Sequence, residues 1–194
     1  MWRIAVNRRG WLIAGALGLA ATQALAQKNY WNITEADLRM LPPFCRTGAA
    51  GLVSYGVDPG EAGVMNHLCP GLNALNDAHR SLGNGPQRSL ALQEAIDHFD
   101  YTLRAISERN PLRSTILIKR GNAREMQGSA SKAITDYHAA IKANQKNLNG
   151  YAALSDAYLK IGDRTSALSA IEDGLKVSPQ AKPLLARKQK LSGK

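Results

Sequence analysis

Cys45 and Cys69 carry the sharpest chemical choice in this 194-residue chain, because they are its only two cysteines. As thiolates they could hold a metal or act as nucleophiles; as a pair they could form a disulfide. His67 and His79 flank the second cysteine, so Cys45, His67, Cys69 and His79 together offer the nitrogen and sulfur donors that tetrahedral zinc uses. Their spacing matches no compact zinc pattern, which disfavours a metal site. Covalent haem attachment needs Cys-x-x-Cys-His, and here Cys69 is followed by Pro70-Gly71-Leu72. A cysteine nucleophile needs a free thiolate beside a base, which a disulfide withdraws.

The compartment decides between these chemistries. Residues 1–26 read as an export signal: Arg3, Arg8 and Arg9 form a positive start, Trp11 to Ala21 an apolar core, and Ala24-Leu25-Ala26 a small-residue cleavage site before Gln27. The apolar core is shorter than the ~20 residues needed to span a bilayer, so a retained anchor is disfavoured. The run Asn7-Arg8-Arg9 leaves both the general and the twin-arginine export routes open. A chain delivered to the periplasm or secreted meets an oxidising environment, where a lone cysteine pair reads as a disulfide. No cofactor is expected, and no catalytic residue.

Charge suggests a second kind of site. The formal net charge is +10; without Arg3, Arg8 and Arg9 there remain 22 basic and 15 acidic residues. Arg104, Arg109, Arg113, Lys119, Arg120 and Arg124 form a basic stretch opposed mainly by Glu108 and Glu125. Read as a surface patch, it would suit an anionic envelope polymer, lipid head groups or an acidic protein. Nucleic acid is excluded as a partner on two grounds: there is no aromatic interleaving for base stacking, and an exported protein rarely meets it. Glu94, Asp97 and Asp100 are spaced as a solvated helix face rather than as a catalytic cluster.

These residues must be positioned by helices. Alanine and leucine dominate, only 6% of residues are aromatic, and the length suits one modest domain made of many small contacts. Thr34-Glu35-Ala36-Asp37 marks a helix start running to about Leu41, stopped by Pro42-Pro43. From Gly48 to Gly63 frequent glycine and the turn signal Asp58-Pro59-Gly60 predict an exposed loop joining the cysteines, in a segment that reads either as a clasp over the end of the helices, the favoured reading, or as a partner-binding lobe. Leu68, Leu72, Leu75 and Ala78 recur at helical spacing until Gly83-Asn84-Gly85-Pro86, and Leu92, Ala95, Ile96, Phe99, Leu103 and Ile106 form the apolar face of a second helix.

Two further units share a 34-residue period. From Leu148, large residues stand at Tyr151, Leu154 and Tyr158, small Ser155 lies between them, Gly162-Asp163 makes a turn, Ala167, Ile171 and Gly174 follow, and Pro179 closes. From Ser114, the equivalent places hold Leu117, Arg120, Gly121, Arg124, Gly128, Ala133, Tyr137 and Ala140, with Arg124 replacing an aromatic and Gln145 the closing proline, departures that predict looser packing. Both units resemble the tetratricopeptide repeat, a pair of antiparallel helices that cross at small residues. The resemblance covers 114–181; 65–113 is a degenerate pair in which Gly71, Ala95 and Phe99 fit.

Together with the export and cysteine readings, the resemblance implies an all-α solenoid of antiparallel helix pairs with an irregular, disulfide-tied N-terminal segment. Its organisation would be a signal peptide at 1–26, the N-terminal segment with a short helix at 27–64, a degenerate pair at 65–113, repeats at 114–147 and 148–181, and a capping helix at 182–194. It further implies a non-enzymatic adaptor of an exported bacterial protein, one that holds a protein or peptide in a concave groove. The groove would be lined by first-helix residues: Thr115, Ile118, Asn122, Glu125 and Met126, then Asn149, Ala152, Asp156 and Lys160, with Arg187 and Lys190 from the cap. The clamp of two lysines, two asparagines and an arginine that grips a C-terminal carboxylate is rejected. Only Asn122 and Arg187 stand at its places, whereas Ile118, Ala153 and Pro183 do not fit.

Overall fold

The computed structural model describes residues 33–193, which fall into two compact units, 33–40 and 41–193. The export signal at 1–26 lies outside the described residues. The first unit holds α1 (Glu35–Met40). The Thr34 hydroxyl accepts from the Asp37 N–H at 3.1 Å while Asp37 Oδ2 accepts from the Thr34 N–H at 3.1 Å, a reciprocal cap that supplies two orphan helix-end donors with partners.

In the second unit, the segment between the cysteines departs from the exposed loop expected over 48–63. It holds two short helices, α2 (Phe44–Ser54) and α3 (Pro59–Val64), followed by a 3₁₀ turn at Met65–His67. The glycines and prolines that suggested a loop punctuate these helices instead. Gly48 kinks α2 with φ 62° and ψ −141°, a backbone that a side chain resists. Pro59 opens α3 at the position where a missing N–H costs nothing, and Asp58 accepts from the Gly60 N–H at 2.8 Å. The segment stays irregular in that its helices are short and broken, but Phe44, Leu52, Val57, Ala62 and Met65 are buried.

The rest is a succession of antiparallel pairs: α4 (Leu68–Arg80) with α5 (Gly85–Ala105), α6 (Arg113–Met126) with α7 (Ala130–Ala143), α8 (Leu148–Lys160) with α9 (Arg164–Val177), and finally α10 (Lys182–Ser192). No strand occurs among the described residues, and no helix among them is long and apolar enough to cross a membrane. Each helix packs on the next, and the first helices of successive pairs, α4, α6, α8 and α10, also touch one another along one side.

Small residues set the crossings. A Cβ at Gly121 would lie 2.5 Å from the ring of Tyr137, and one at Gly71 would lie 3.0 Å from that of Phe99. Tyr137 and Phe99 are both fully buried, so each glycine is the concave partner of a ring that has no room to move. At the equivalent crossing of the next pair, Ser155 and Ile171 are likewise buried. Gly128 and Gly162, 34 residues apart, turn α6 into α7 and α8 into α9 with φ 85° and 81°. In both, the glycine N–H bonds back to Glu125 or Leu159 and the next N–H to Arg124 or Tyr158, the double closure that satisfies the last helix carbonyls.

Residues 44–67 are held to the helices by the packing of His67 on α5 and by two further ties. Cys45 and Cys69 form a disulfide. On α3, Glu61 accepts from the Ser107 N–H at 2.8 Å and from Asn110 Nδ2 at 2.6 Å, bridging to the turn between α5 and α6. The Asn110 hydrogen bond, then those to Ser107, hold the Glu61 carboxyl below its ordinary range, against a small opposing effect of burial. A carboxyl lowered on folding stabilises above its unfolded pKa, about 4.3, and that contribution is lost as pH falls through the lowered folded value. Glu61→Gln is therefore expected to reduce stability at pH 7 and to flatten the acid limb of the stability curve, measured by urea unfolding between pH 3 and 7.

Candidate functional site

The side formed by successive first helices encloses a cavity of about 550 Å³. On α6 the residues Thr115, Ile118, Lys119, Asn122 and Glu125 face it, a stripe at spacings of three and four that one helix face provides. Across from them stand Asn149, Ala152, Ala153, Asp156 and Lys160 of α8, with Asn147 before that helix and Arg187 from α10. Met126 is not among the lining residues: it shares the α6 stripe but is the last residue of the helix, past the end of the cavity. Lys190 lines a neighbouring cavity of about 390 Å³, together with Ser155, Asp156, Leu159, Arg164, Arg187 and Leu191.

Lys119, Asn147 and Ala153 line the cavity although they were not expected there, and so does Tyr137, which first-helix reasoning could not reach because it belongs to α7. Its ring crosses α6 where Gly121 offers no Cβ, and its hydroxyl emerges 2.8 Å from Glu125 Oε2 and 2.9 Å from the Asn122 side-chain oxygen. A hydroxyl has one proton, so it donates to the carboxylate, and the Asn122 amide is best satisfied by turning an N–H toward the same oxygen. Burial, then Glu125, drives the Tyr137 hydroxyl far above its ordinary pKa, so it stays a neutral donor. The sequence signal was the combination of glycine at 121 with tyrosine at 137, where the next unit has Ser155 and Ile171.

The groove's charges are largely paired across helices. Glu125 binds Lys160, joining α6 to α8. Asp156 receives Arg187 Nε at 3.2 Å and Nη2 at 2.9 Å, a forked contact between α8 and α10 whose hydrogen bonds raise the Arg187 pKa. Lys119 has no ion-pair partner among the described residues.

No family model matches the chain, and no curated protein sequence matches it. Among solved structures, the chain is similar to a thermophilic TPR protein of Thermus thermophilus, at 17% identity over 75% of this chain and 78% of that one, with a TM-score of 0.58. It is also similar to the first TPR of Spaghetti bound to an HSP90 peptide, at 18% identity over 63% and 93% with a TM-score of 0.47, and to the Sgt2 TPR domain of Aspergillus fumigatus, at 16% over 63% and 77% with a TM-score of 0.48. The chain has the tetratricopeptide-repeat fold.

Within that fold the basic stretch is not a free patch, a correction to the sequence reading. Arg120 and Arg124 turn inward to Asp136, which is buried on α7: Arg120 bonds it through Nε at 3.1 Å and Nη2 at 2.5 Å, and Arg124 Nη1 contacts its two oxygens at 3.0 and 2.9 Å. Asp100 of α5 completes the cluster at 2.6 Å from Arg120, so it is no part of a solvated acidic face. Burial pulls the Arg120 pKa down, but Asp136 and Asp100 outweigh it and leave the guanidinium raised. Arg124, which stands where an aromatic was expected, ties three helices and does not loosen them. Arg113 donates to the Leu103 and Ile106 carbonyls at 3.1 and 3.2 Å, closing the end of α5, and pairs with Glu108 at 2.7 Å. Of the six residues, Arg104 and Arg109 are exposed and Lys119 faces the groove.

The metal reading of the cysteines fails on the disulfide, which leaves neither sulfur as a ligand or nucleophile. His67 packs instead against His98 and Tyr101, its Nδ1 2.7 Å from His98 Nδ1 and its ring stacked on Tyr101 at 3.9 Å. Burial lowers both histidine pKa values. A bond between two Nδ1 atoms needs one donor and one acceptor, so neutral rings suit it. His79 is exposed on α4.

Proposed function

We propose that the chain is a non-enzymatic interaction scaffold that holds a peptide segment of a partner protein in the groove between α6, α8 and α10. The observation that carries this is the convergence of Thr115, Ile118, Asn122 and Glu125 with Asn149, Asp156, Lys160 and Arg187 on one concavity of about 550 Å³. A row of amide, hydroxyl and charged groups fixed by helices suits the backbone and polar side chains of an extended segment, and solenoids use concave surfaces in this way.

Export to a bacterial cell envelope belongs to the same proposal. It is supported by the signal pattern over 1–26 and by a disulfide of the kind that oxidising compartments preserve. The mass of protein recovered from a periplasmic extract tests it: a chain beginning at Gln27 is expected, and an uncleaved cytosolic chain refutes it.

The groove is tested by Asn122→Ala combined with Asp156→Lys. The pair removes an amide at one wall and sets a lysine against Arg187 at the other, while both sites are half-exposed and surface pairs of this kind contribute only about 0–1 kcal/mol to stability. Loss of partner co-purification with an unchanged thermal melt is expected. Retained binding removes the groove from consideration.

A further inference from the structure

Beside the groove lies a second cavity of about 270 Å³ with a different character. Its walls are apolar: Phe44 and Tyr55 from the N-terminal segment, Leu68 and Leu72 from α4, and Leu112 and Ile116 from the start of α6. Thr115 and Lys119 line both cavities, so the two meet across one turn of α6. The walls are held from outside the repeats. Phe44 and Leu68 each adjoin a half of the Cys45–Cys69 disulfide, and the Tyr55 ring stands edge-on to Phe44 at 5.2 Å while remaining 46% exposed.

We propose that the groove and this pocket form one bipartite site for an extended peptide in which an acidic side chain, bound by Lys119, lies two residues from a bulky apolar side chain that fills the pocket. This rests on the groove reading above and names the chemistry of its ligand. Charge selects the acid. Glu125 is matched by Lys160 and Asp156 by Arg187, which leaves Lys119 as the groove cation without an ion-pair partner among the described residues, placed at the mouth of the pocket. Size selects the neighbour, since a dry cavity of about 150 Å³ already accepts benzene and this one is larger. Spacing follows from extended backbone, in which side chains two residues apart point the same way, about 7 Å from one another. The N-terminal segment, through Phe44 and Tyr55, therefore contributes to the apolar part of the specificity.

The test is selection from a soluble library of random dodecapeptides on the full oxidised chain, followed by affinities of the selected peptides. Enrichment of Asp or Glu two positions from Phe, Trp, Leu or Ile is expected. Lys119→Glu should shift the preference from acidic to basic while keeping the apolar residue. Tyr55→Ser, at an exposed wall position, should weaken selected peptides by roughly tenfold while keeping the acid. Selected peptides that ignore both variants yet are lost with Asn122→Ala plus Asp156→Lys overturn the bipartite site and leave the groove standing. Peptides that respond to Lys119→Glu and Tyr55→Ser but ignore the groove pair uphold the pocket and remove the groove. No enrichment overturns the proposal, and a photoreactive residue at 55 that then crosslinks to a second copy of the chain would identify the pocket's occupant as the chain itself.

Discussion

Asp136→Ala is expected to destabilise the fold by about 3 kcal/mol, the lower end of what removing one partner from a buried ion cluster costs. The carboxylate side chain is 2% exposed and satisfies two guanidiniums, from Arg120 and Arg124, that are themselves 17% and 18% exposed. Without it those cations keep only Asp100, at 2.6 and 3.5 Å, and two charges remain in a poorly solvated cleft among α5, α6 and α7. Their partial exposure lets water reach them, which is why the upper end of the range is not expected. Urea unfolding measures the effect as a lower midpoint with an unchanged slope. A triple variant, Asp136→Leu with Arg120→Met and Arg124→Leu, separates the cause. If the cost is uncompensated charge, the triple variant recovers most of the stability, because apolar replacement of a whole buried cluster is often neutral or better. A loss that persists in it would place the cost in packing instead.

The cluster also marks the boundary of what the sequence discloses. The helix pairs and most of the groove were legible because a 34-residue spacing of small and large residues encodes local crossings, and a helix face follows from spacing of three and four. The partner of a charge is not local. Arg120 and Arg124 read as a surface stretch beside Lys119, since nothing in their spacing shows that Asp136, on the following helix, lies underneath; only the packing of α6 on α7 brings them together. Tyr137 was hidden for the same reason: its position predicts a buried ring, and only the absence of a side chain at Gly121 carries its hydroxyl through to the groove. Between the cysteines, local signals were read with the wrong sign. Pro59 and Gly48 disfavour long regular helix, but they open and kink short ones that buried Phe44, Leu52 and Met65 hold down.

Breaking the disulfide is expected to have the second large effect, and a localised one. Cys45 and Cys69 are 24 residues apart, and on the chain-entropy model a loop of that size contributes about 3.5 kcal/mol, all of it by restricting the unfolded chain. The enclosed residues cannot easily replace it: apart from a few buried side chains, their remaining ties to the helices are the Glu61 contact with Ser107 and Asn110 and the packing of His67 on His98 and Tyr101. The repeats have their own core, in which Tyr137, Ile171 and Leu184 are fully buried, and none of it depends on the crosslink. Reduction, or Cys45→Ala with Cys69→Ala, should therefore open Phe44–Ser54 first. Hydrogen exchange is the measurement that distinguishes this from a global loss: amides of α2 and α3 should exchange much faster in the reduced protein while those of α6 to α9 keep most of their protection. Uniform acceleration across all the helices would show that the chain unfolds as one cooperative unit and that the N-terminal segment is integral to the solenoid. Selective acceleration would make the pocket wall at Phe44 and Tyr55 the part of the molecule whose order depends on the redox state of its surroundings, so that peptide affinity at the bipartite site should fall on reduction while the repeats remain folded.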